Sequence, residues 1–379
     1  MLGLFLLLAA LLSGCNAPTV QADTPASEPP APAVSYATIT PTHTPSQTPT
    51  MTFTPTETPV LPSETPSPTA TRTPYPTKDP AATATTIPTF APASGDFAPH
   101  FWFVRPIPAG YQDYVDPNYR YATTQNGAYR PHHGVDIPNP EGTPVVAVGA
   151  GEIVFAGPDW DITFGPNPFF YGNLVIILHD DTYNGQPVYT LYGHLSQVTV
   201  AAGQRVGPGE IIGLVGGTGV ALGGPHLHFE VRVGYNDYFS TRNPELWLRP
   251  YPRWGTLAGR ITDENGNLVP IANITIRSTA LDNPDDGPVS RYTVTYATSS
   301  TNPDDVYGEN FVVMDLPPGQ YQVTVNNGTR TQNATVTIRP DSLSFVEFRD
   351  IAPPPTWTPT PTGTRTTATP TAPAVTPSP

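Results

Sequence analysis

The 379-residue chain is poor in thiols, in ammonium groups and in long apolar runs. Its one cysteine, Cys15, excludes a disulfide framework and any thiolate-based zinc finger. Lys78 is the only lysine; 17 basic residues stand against 31 acidic ones, giving a formal charge of −14. Nucleic-acid affinity rests chiefly on clustered Lys and Arg, so no nucleic-acid partner is expected. The apolar stretch at residues 2–12 covers 11 positions, where a hydrocarbon core needs about 20. Helical patterning is also missing from residues 99–250, where no apolar repeat keeps the 3.6-residue period for three turns.

Proline, by contrast, is abundant and unevenly spread. Of 51 prolines, 18 fall in residues 17–98 and 9 in residues 352–379, leaving 24 for the 253 residues between. The two flanks are Thr/Pro-rich, as in Thr54-Pro55-Thr56-Glu57-Thr58-Pro59. They hold too few aliphatic and aromatic residues for burial to offset the entropy of ordering. The sequence therefore divides into a leader at 1–15, a disordered tether at 16–98, a globular segment at 99–250, a second at 254–350 and a disordered tail at 351–379. At about 3.1 Å per residue the tether could reach roughly 250 Å. The leader's apolar run ends in Leu12-Ser13-Gly14-Cys15, which resembles the lipobox of bacterial lipoproteins. That resemblance implies a signal peptide, lipidation at Cys15 and a membrane-anchored protein outside the cytoplasm, facing the cell wall or periplasm.

Residues 99–250 carry short β-rich runs separated by Gly, Pro, Asn and Asp, among them Leu174-Val175-Ile176-Ile177-Leu178 and Val188-Tyr189-Thr190-Leu191-Tyr192. The spacing predicts an all-β, antiparallel domain. Three features there bear on chemistry. His132-His133-Gly134-Val135-Asp136 places an imidazole and a carboxylate four residues apart. In Pro225-His226-Leu227-His228-Phe229-Glu230-Val231 a period of two puts His226, His228 and Glu230 on one strand face and the apolar residues on the other. Tyr192-Gly193-His194-Leu195 ends another strand with a histidine. Nitrogen and carboxylate donors without thiolate favour zinc in a catalytic site, where three protein ligands leave a fourth position open.

These motifs resemble the lysostaphin/LytM-type zinc endopeptidases of bacterial cell walls. The likeness runs from about Arg105 to Val233 and includes Gly134-Val135-Asp136-Ile137, Tyr171-Gly172-Asn173 and Gly203-Gln204-Arg205-Val206. It implies an antiparallel β domain of the duplicated-hybrid-motif kind with a groove across its sheet. It also implies one zinc ion held by His132, Asp136 and His228, with His194 and His226 as the non-ligand catalytic histidines. His133 falls at a variable position and reads as a non-ligand. Tyr129 is a candidate for the groove and for stabilising an oxyanion, and the aromatic loop with Trp160, Phe164, Phe169 and Phe170 is a candidate groove wall or else a local hydrophobic cluster. His179 and His100 read as structural, His179 in a solvated position.

Residues 254–350 show strand alternation with turn signals and predict a small Ig- or transthyretin-like β-sandwich. Asp315-Leu316-Pro317-Pro318-Gly319-Gln320-Tyr321 resembles carboxypeptidase regulatory-like modules. The segment has neither His nor Cys and reads as a spacer or adhesion module. Taken with the resemblance, the sequence points to a lipid-anchored zinc endopeptidase that hydrolyses the peptide cross-links of peptidoglycan. The alternatives are a catalytically silent groove domain that binds wall peptide or activates a partner hydrolase, and an adhesion scaffold. A regulatory protein partner is left open.

Overall fold

The computed structural model describes residues 97–297, 300–328 and 330–353. Cys15, the leader, almost all of the tether and nearly all of the tail lie outside the described residues. Among the described residues no helix is long and apolar enough to cross a membrane. Regular structure among the described residues is almost wholly β, with two single-turn 3-10 helices, Pro244–Leu246 and Pro284–Asp286.

The first ten strands are β1 (Val135–Pro138), β2 (Pro144–Val146), β3 (Gly151–Pro158), β4 (Asn173–Tyr183), β5 (Gln186–Leu195), β6 (Gln197–Val198), β7 (Arg205–Val206), β8 (Ile211–Leu214), β9 (His226–Val233) and β10 (Thr241–Arg242). A seven-stranded sheet runs in the order β1-β9-β5-β4-β3-β7, with β10 attached to β9; β2-β8-β6 forms a smaller sheet. Every pairing in both sheets is antiparallel. β9 lies between β1 and β5 and is buried at every position. Its apolar residues Leu227, Phe229 and Val231 join Ile137, Tyr192 and Val175 in the core, which leaves the alternate, polar face for chemistry.

The second group is β11 (Gly255–Ile261), β12 (Asn273–Leu281), β13 (Ser290–Val294), β14 (Phe311–Leu316), β15 (Gly319–Asn326), β16 (Thr331–Ile338) and β17 (Leu343–Phe348). A three-stranded sheet, β14-β11-β17, faces a four-stranded one, β13-β12-β15-β16. Leu257, Val313, Val346, Ile276, Val323 and Ile338 fill the space between them. Among the described strands, β11 and β17 form the one parallel pair.

The core does not stop at residue 254. Tyr296, Tyr307, Met314 and Phe345 belong to the same buried cluster as Tyr121, Tyr183 and Trp247. The connection before β14 reinforces this junction with polar contacts. Tyr183 donates to Asp304 at 2.8 Å, Arg242 pairs with Asp305 at 2.7 Å, and Asn302 Nδ2 donates to the Phe239 carbonyl at 2.7 Å. Arg105 reaches Asp315 at 2.5 Å, and the Met314 N–H donates to the buried Glu245 carboxylate at 3.0 Å.

Candidate active site

Antiparallel pairing of β1 with β9 sets Asp136 directly opposite His228. His132 precedes β1, and its backbone carbonyl and N–H pair with Ala122 and Thr123. Gly134 permits the close approach between them, since a Cβ there would lie 2.5 Å from the Phe229 carbonyl oxygen and 2.9 Å from the His228 ring. The outcome is a compact donor set. Asp136 Oδ1 lies 2.9 Å from His228 Nδ1 and 3.2 Å from His132 Nε2, and the two nitrogens are 3.2 Å apart. Ligands about 2.0–2.2 Å from a tetrahedral ion stand roughly 3.3–3.6 Å from one another, so two imidazoles and a carboxylate at this spacing fit one zinc-sized cation.

Burial and mutual pairing set the charges of the donor set. Burial works to raise the Asp136 pKa, but His132 and His228 outweigh it and hold the carboxyl well below the usual range. Burial likewise opposes charge on His228, yet hydrogen bonds to Asp136 and Glu230 raise it to about 9. Behind His228 lies a second buried layer. Its Nε2 is 3.0 Å from Glu230 Oε1, which also accepts from Tyr171 Oη at 2.5 Å; Arg232 Nε donates to Glu230 Oε2 at 2.7 Å. Despite its burial, Glu230 is depressed to about 2 by Arg232 and His228.

His194 and His226 stand beside this centre with ring centroids 4.9 Å apart. His226 Nε2 is 3.5 Å from Asp136 Oδ1. The Nδ1 of each is 2.8 Å from a backbone oxygen, that of Thr218 for His194 and that of Gly224 for His226. A carbonyl can only accept, so each Nδ1 carries the proton and each Nε2 presents a lone pair. Burial, with the neighbouring His228 and His226, lowers His194 to about 3. His194 also has φ +63°, a left-handed backbone that non-glycine residues seldom adopt. Its N–H donates to the Tyr171 carbonyl at 2.8 Å, and the loop carrying Thr218 packs so tightly on Gly172 (φ +69°) that a Cβ there would meet Thr218 at 2.4 Å.

The structure brings together His132, Asp136, His194, His226 and His228, all named from sequence. His133 points away from the donor set: its Nδ1 is 2.7 Å from the Tyr238 carbonyl and its ring stacks on Tyr238 at 3.7 Å. His179 departs from the solvated position expected of it. It is buried between Phe103 and Thr190, with Nε2 2.8 Å from the Thr190 hydroxyl. His100 is structural and packs on Tyr307 and Trp247.

The aromatic loop splits between its two expected roles. Trp160 is 58% exposed and stacks on Phe169 at 3.7 Å, available to a ligand. Phe164 is buried against Phe155, and Phe170 packs on the same cluster, so Phe164 is a packing residue and not a groove wall. Tyr129 packs edge-on against Tyr119, with ring centroids 5.2 Å apart. Tyr119 touches the donor set, stacking on His132 at 4.0 Å while its carbonyl oxygen lies 2.8 Å from His132 Nδ1. Tyr119, Tyr171 and Arg232 escaped sequence reasoning because their link to the ligands is purely spatial. Glu230 had a signal, its place on the His226/His228 face.

An all-β domain that gathers two imidazoles and a carboxylate on a sheet face, with two further histidines alongside, defines a candidate metallohydrolase. Residues 130–240 match the peptidase family M23 model, and the protein thus holds a domain of that family. Over 118 residues it is 40% identical to the peptidoglycan DD-endopeptidase ShyA of Vibrio cholerae, covering 31% of this chain and 24% of that protein. Over 105 residues it is 45% identical to the DD-carboxypeptidase/endopeptidase Mpg of Neisseria meningitidis, covering 28% and 21%. The sequence therefore aligns with less than a quarter of the length of these relatives. Among solved structures, a zinc-containing peptidase from Vibrio cholerae aligns at 30% identity and TM-score 0.29, covering 38% of each chain. The catalytic domain of lysostaphin from Staphylococcus simulans aligns at 30% identity and TM-score 0.26, covering 38% of this chain and 86% of that one.

Proposed function

We propose that this protein is a zinc-dependent endopeptidase that hydrolyses peptide cross-links in bacterial peptidoglycan. The observation that carries the reading is the convergence of His132, Asp136 and His228, whose ligand atoms all lie within 4.8 Å of one another. The M23 match and the endopeptidase names of the relatives support the substrate class.

His132, Asp136 and His228 would hold the metal. When bound there, zinc supplies Lewis acidity toward a carbonyl and acidifies water. The protein's own histidines manage the proton. With Nδ1–H committed to a backbone carbonyl, neutral His194 or His226 offers only an acceptor at Nε2. That nitrogen can take the proton of the attacking water as the C–O bond forms. The same ring, now a donor, returns it to the leaving amine as the C–N bond breaks. Burial keeps His194 uncharged, and its Nδ1 contact with the Thr218 carbonyl leaves the Nε2 lone pair as the acceptor.

The test is direct. The purified full-length protein should contain one zinc ion by metal analysis and release soluble fragments from cross-linked peptidoglycan; a chelator should stop the release and added zinc restore it. Activity that survives complete removal of metal would refute the reading. Zinc binding without hydrolysis would instead favour a silent wall-binding domain.

The proposal extends to location, on the strength of Leu12-Ser13-Gly14-Cys15. Lipidation at Cys15 would tether the enzyme outside the cytoplasm. Labelled palmitate should enter the wild-type protein and not Cys15→Ala, and that variant should leave the membrane fraction.

A further inference from the structure

Glu230, Arg232 and Tyr171 form a polar cluster with no exposed surface, each 0% accessible. Burying an ion pair costs several kcal/mol of desolvation, and well-packed apolar residues in its place are often as stable or more so. Packing alone therefore gives no reason for this arrangement. Its geometry does. Every strong contact of the Glu230 carboxylate is accounted for: Oε1 takes His228 Nε2 and the Tyr171 hydroxyl, and Oε2 takes Arg232 Nε. Arg232 is in turn anchored by Asn236 Oδ1 at 3.1 Å, by the Phe164 carbonyl at 3.1 Å and by the Tyr171 hydroxyl at 3.2 Å. The carboxylate cannot swing away, because each of its partners is itself fixed.

We infer that Glu230 is a positioning residue for the metal centre, holding the His228 proton on Nε2 so that the Nδ1 lone pair faces Asp136 and His132. This inference rests on the metal-site reading above and adds a residue to it. An imidazole with one proton can place it on either nitrogen, and only the form protonated at Nε2 presents Nδ1 as a ligand. The second histidine ligand is set the opposite way round. His132 Nδ1 lies 2.8 Å from the Tyr119 carbonyl, which leaves Nε2 free for the ion. One ligand is thus oriented by a backbone oxygen and the other by a buried carboxylate, and both free nitrogens converge on the same oxygen of Asp136. Tyr171 ties this layer to the catalytic histidines as well, since its carbonyl oxygen accepts the His194 N–H.

The experiment measures zinc affinity of the metal-free full-length protein by competition with a chromophoric chelator, alongside the melting temperature of each metal-free protein. Glu230→Ala would strand the Arg232 guanidinium in the core, so the informative variants are two others. Glu230→Leu with Arg232→Met removes both charges together and should keep a melting temperature close to wild type. Its zinc affinity should fall about 10–100-fold, the usual cost of losing the carboxylate behind a ligating histidine. Glu230→Gln keeps an acceptor oxygen toward His228 Nε2 and should stay within about threefold of wild type. A folded double variant that binds zinc as tightly as wild type would overturn the inference, and so would a Gln variant as weak as the double variant. If wild type binds no stoichiometric zinc, the metal-site reading itself fails, an outcome distinct from either.

Discussion

At the scale of single residues, ligands and proton carriers should separate experimentally. Asp136 supplies the oxygen shared by both ligand nitrogens, so Asp136→Ala should lose bound zinc and activity together. His226 lies outside the donor set, so His226→Ala should retain zinc while turnover falls by about 10²–10⁴, the range for a lost general acid–base group. Metal analysis and kinetics on the same two preparations check both expectations; stoichiometric zinc in Asp136→Ala would contradict the ligand assignment. The left-handed backbone of His194 fits its place here, because such conformations persist where the surroundings over-determine them and tend to gather at functional sites. The His-x-x-x-Asp and His-x-His spacings were legible because each is local. Tyr119 was not, because its position against His132 follows from the path of a loop that no motif marks.

At the scale of elements, the alternation of β9 was readable from the period of side chains along a strand, and the structure places His226, His228 and Glu230 on its polar face. β1, β6, β7, β10, β13 and β17 were not anticipated as strands. β1 is four residues long and contains Asp136 and Pro138, while β13 reads Ser-Arg-Tyr-Thr-Val without a clear apolar face. β1 and β13 are strands because β9 and β12 supply their ladders. The β1–β9 pairing is also a point of vulnerability. A methyl group at residue 134 would collide with the Phe229 carbonyl, backbone that cannot yield cheaply. Gly134→Ala should therefore cost on the order of 1–3 kcal/mol, as overpacking does, and weaken zinc binding by pushing β1 off register. Denaturant unfolding with zinc titration measures both effects.

At the scale of the whole molecule, the second β segment, read from sequence as a spacer or adhesion module, shares a core with the segment that carries the site. Ending the protein at residue 253 would strip Tyr121 of Tyr296 and Asn302 and Tyr183 of Asp304. Each large side chain exposed in this way forfeits about 1.5–3 kcal/mol, comparable in sum with the stability of an ordinary domain. The shortened protein should melt far below the full-length one or fail to fold; thermal unfolding followed by circular dichroism decides it, and equal melting temperatures would show the two segments to be independent. The junction also carries a pH dependence. Burial, helped by the nearby Asp304 carboxylate, raises Glu309 to about 8. The folded state then holds a proton that the unfolded state, with an ordinary glutamate near 4.5, releases. This contribution is complete below about pH 4.5 and declines as pH rises through about 8. Relative to Glu309→Gln, wild type should lose stability between pH 5 and pH 8.5 in urea titrations.

Composition and neighbouring-residue patterns were enough to place the globular middle between proline-rich flanks, to assign an all-β class and to pick out five histidine and aspartate side chains, because each of these is a property of adjacent residues. The pairing of Asp136 with His228 across 92 positions, the burial of Glu230 behind the ligand and the common core beneath both segments arise when distant stretches meet. Such meetings depend on strand register and on which apolar faces cover one another, and those are settled by packing the entire sequence at once.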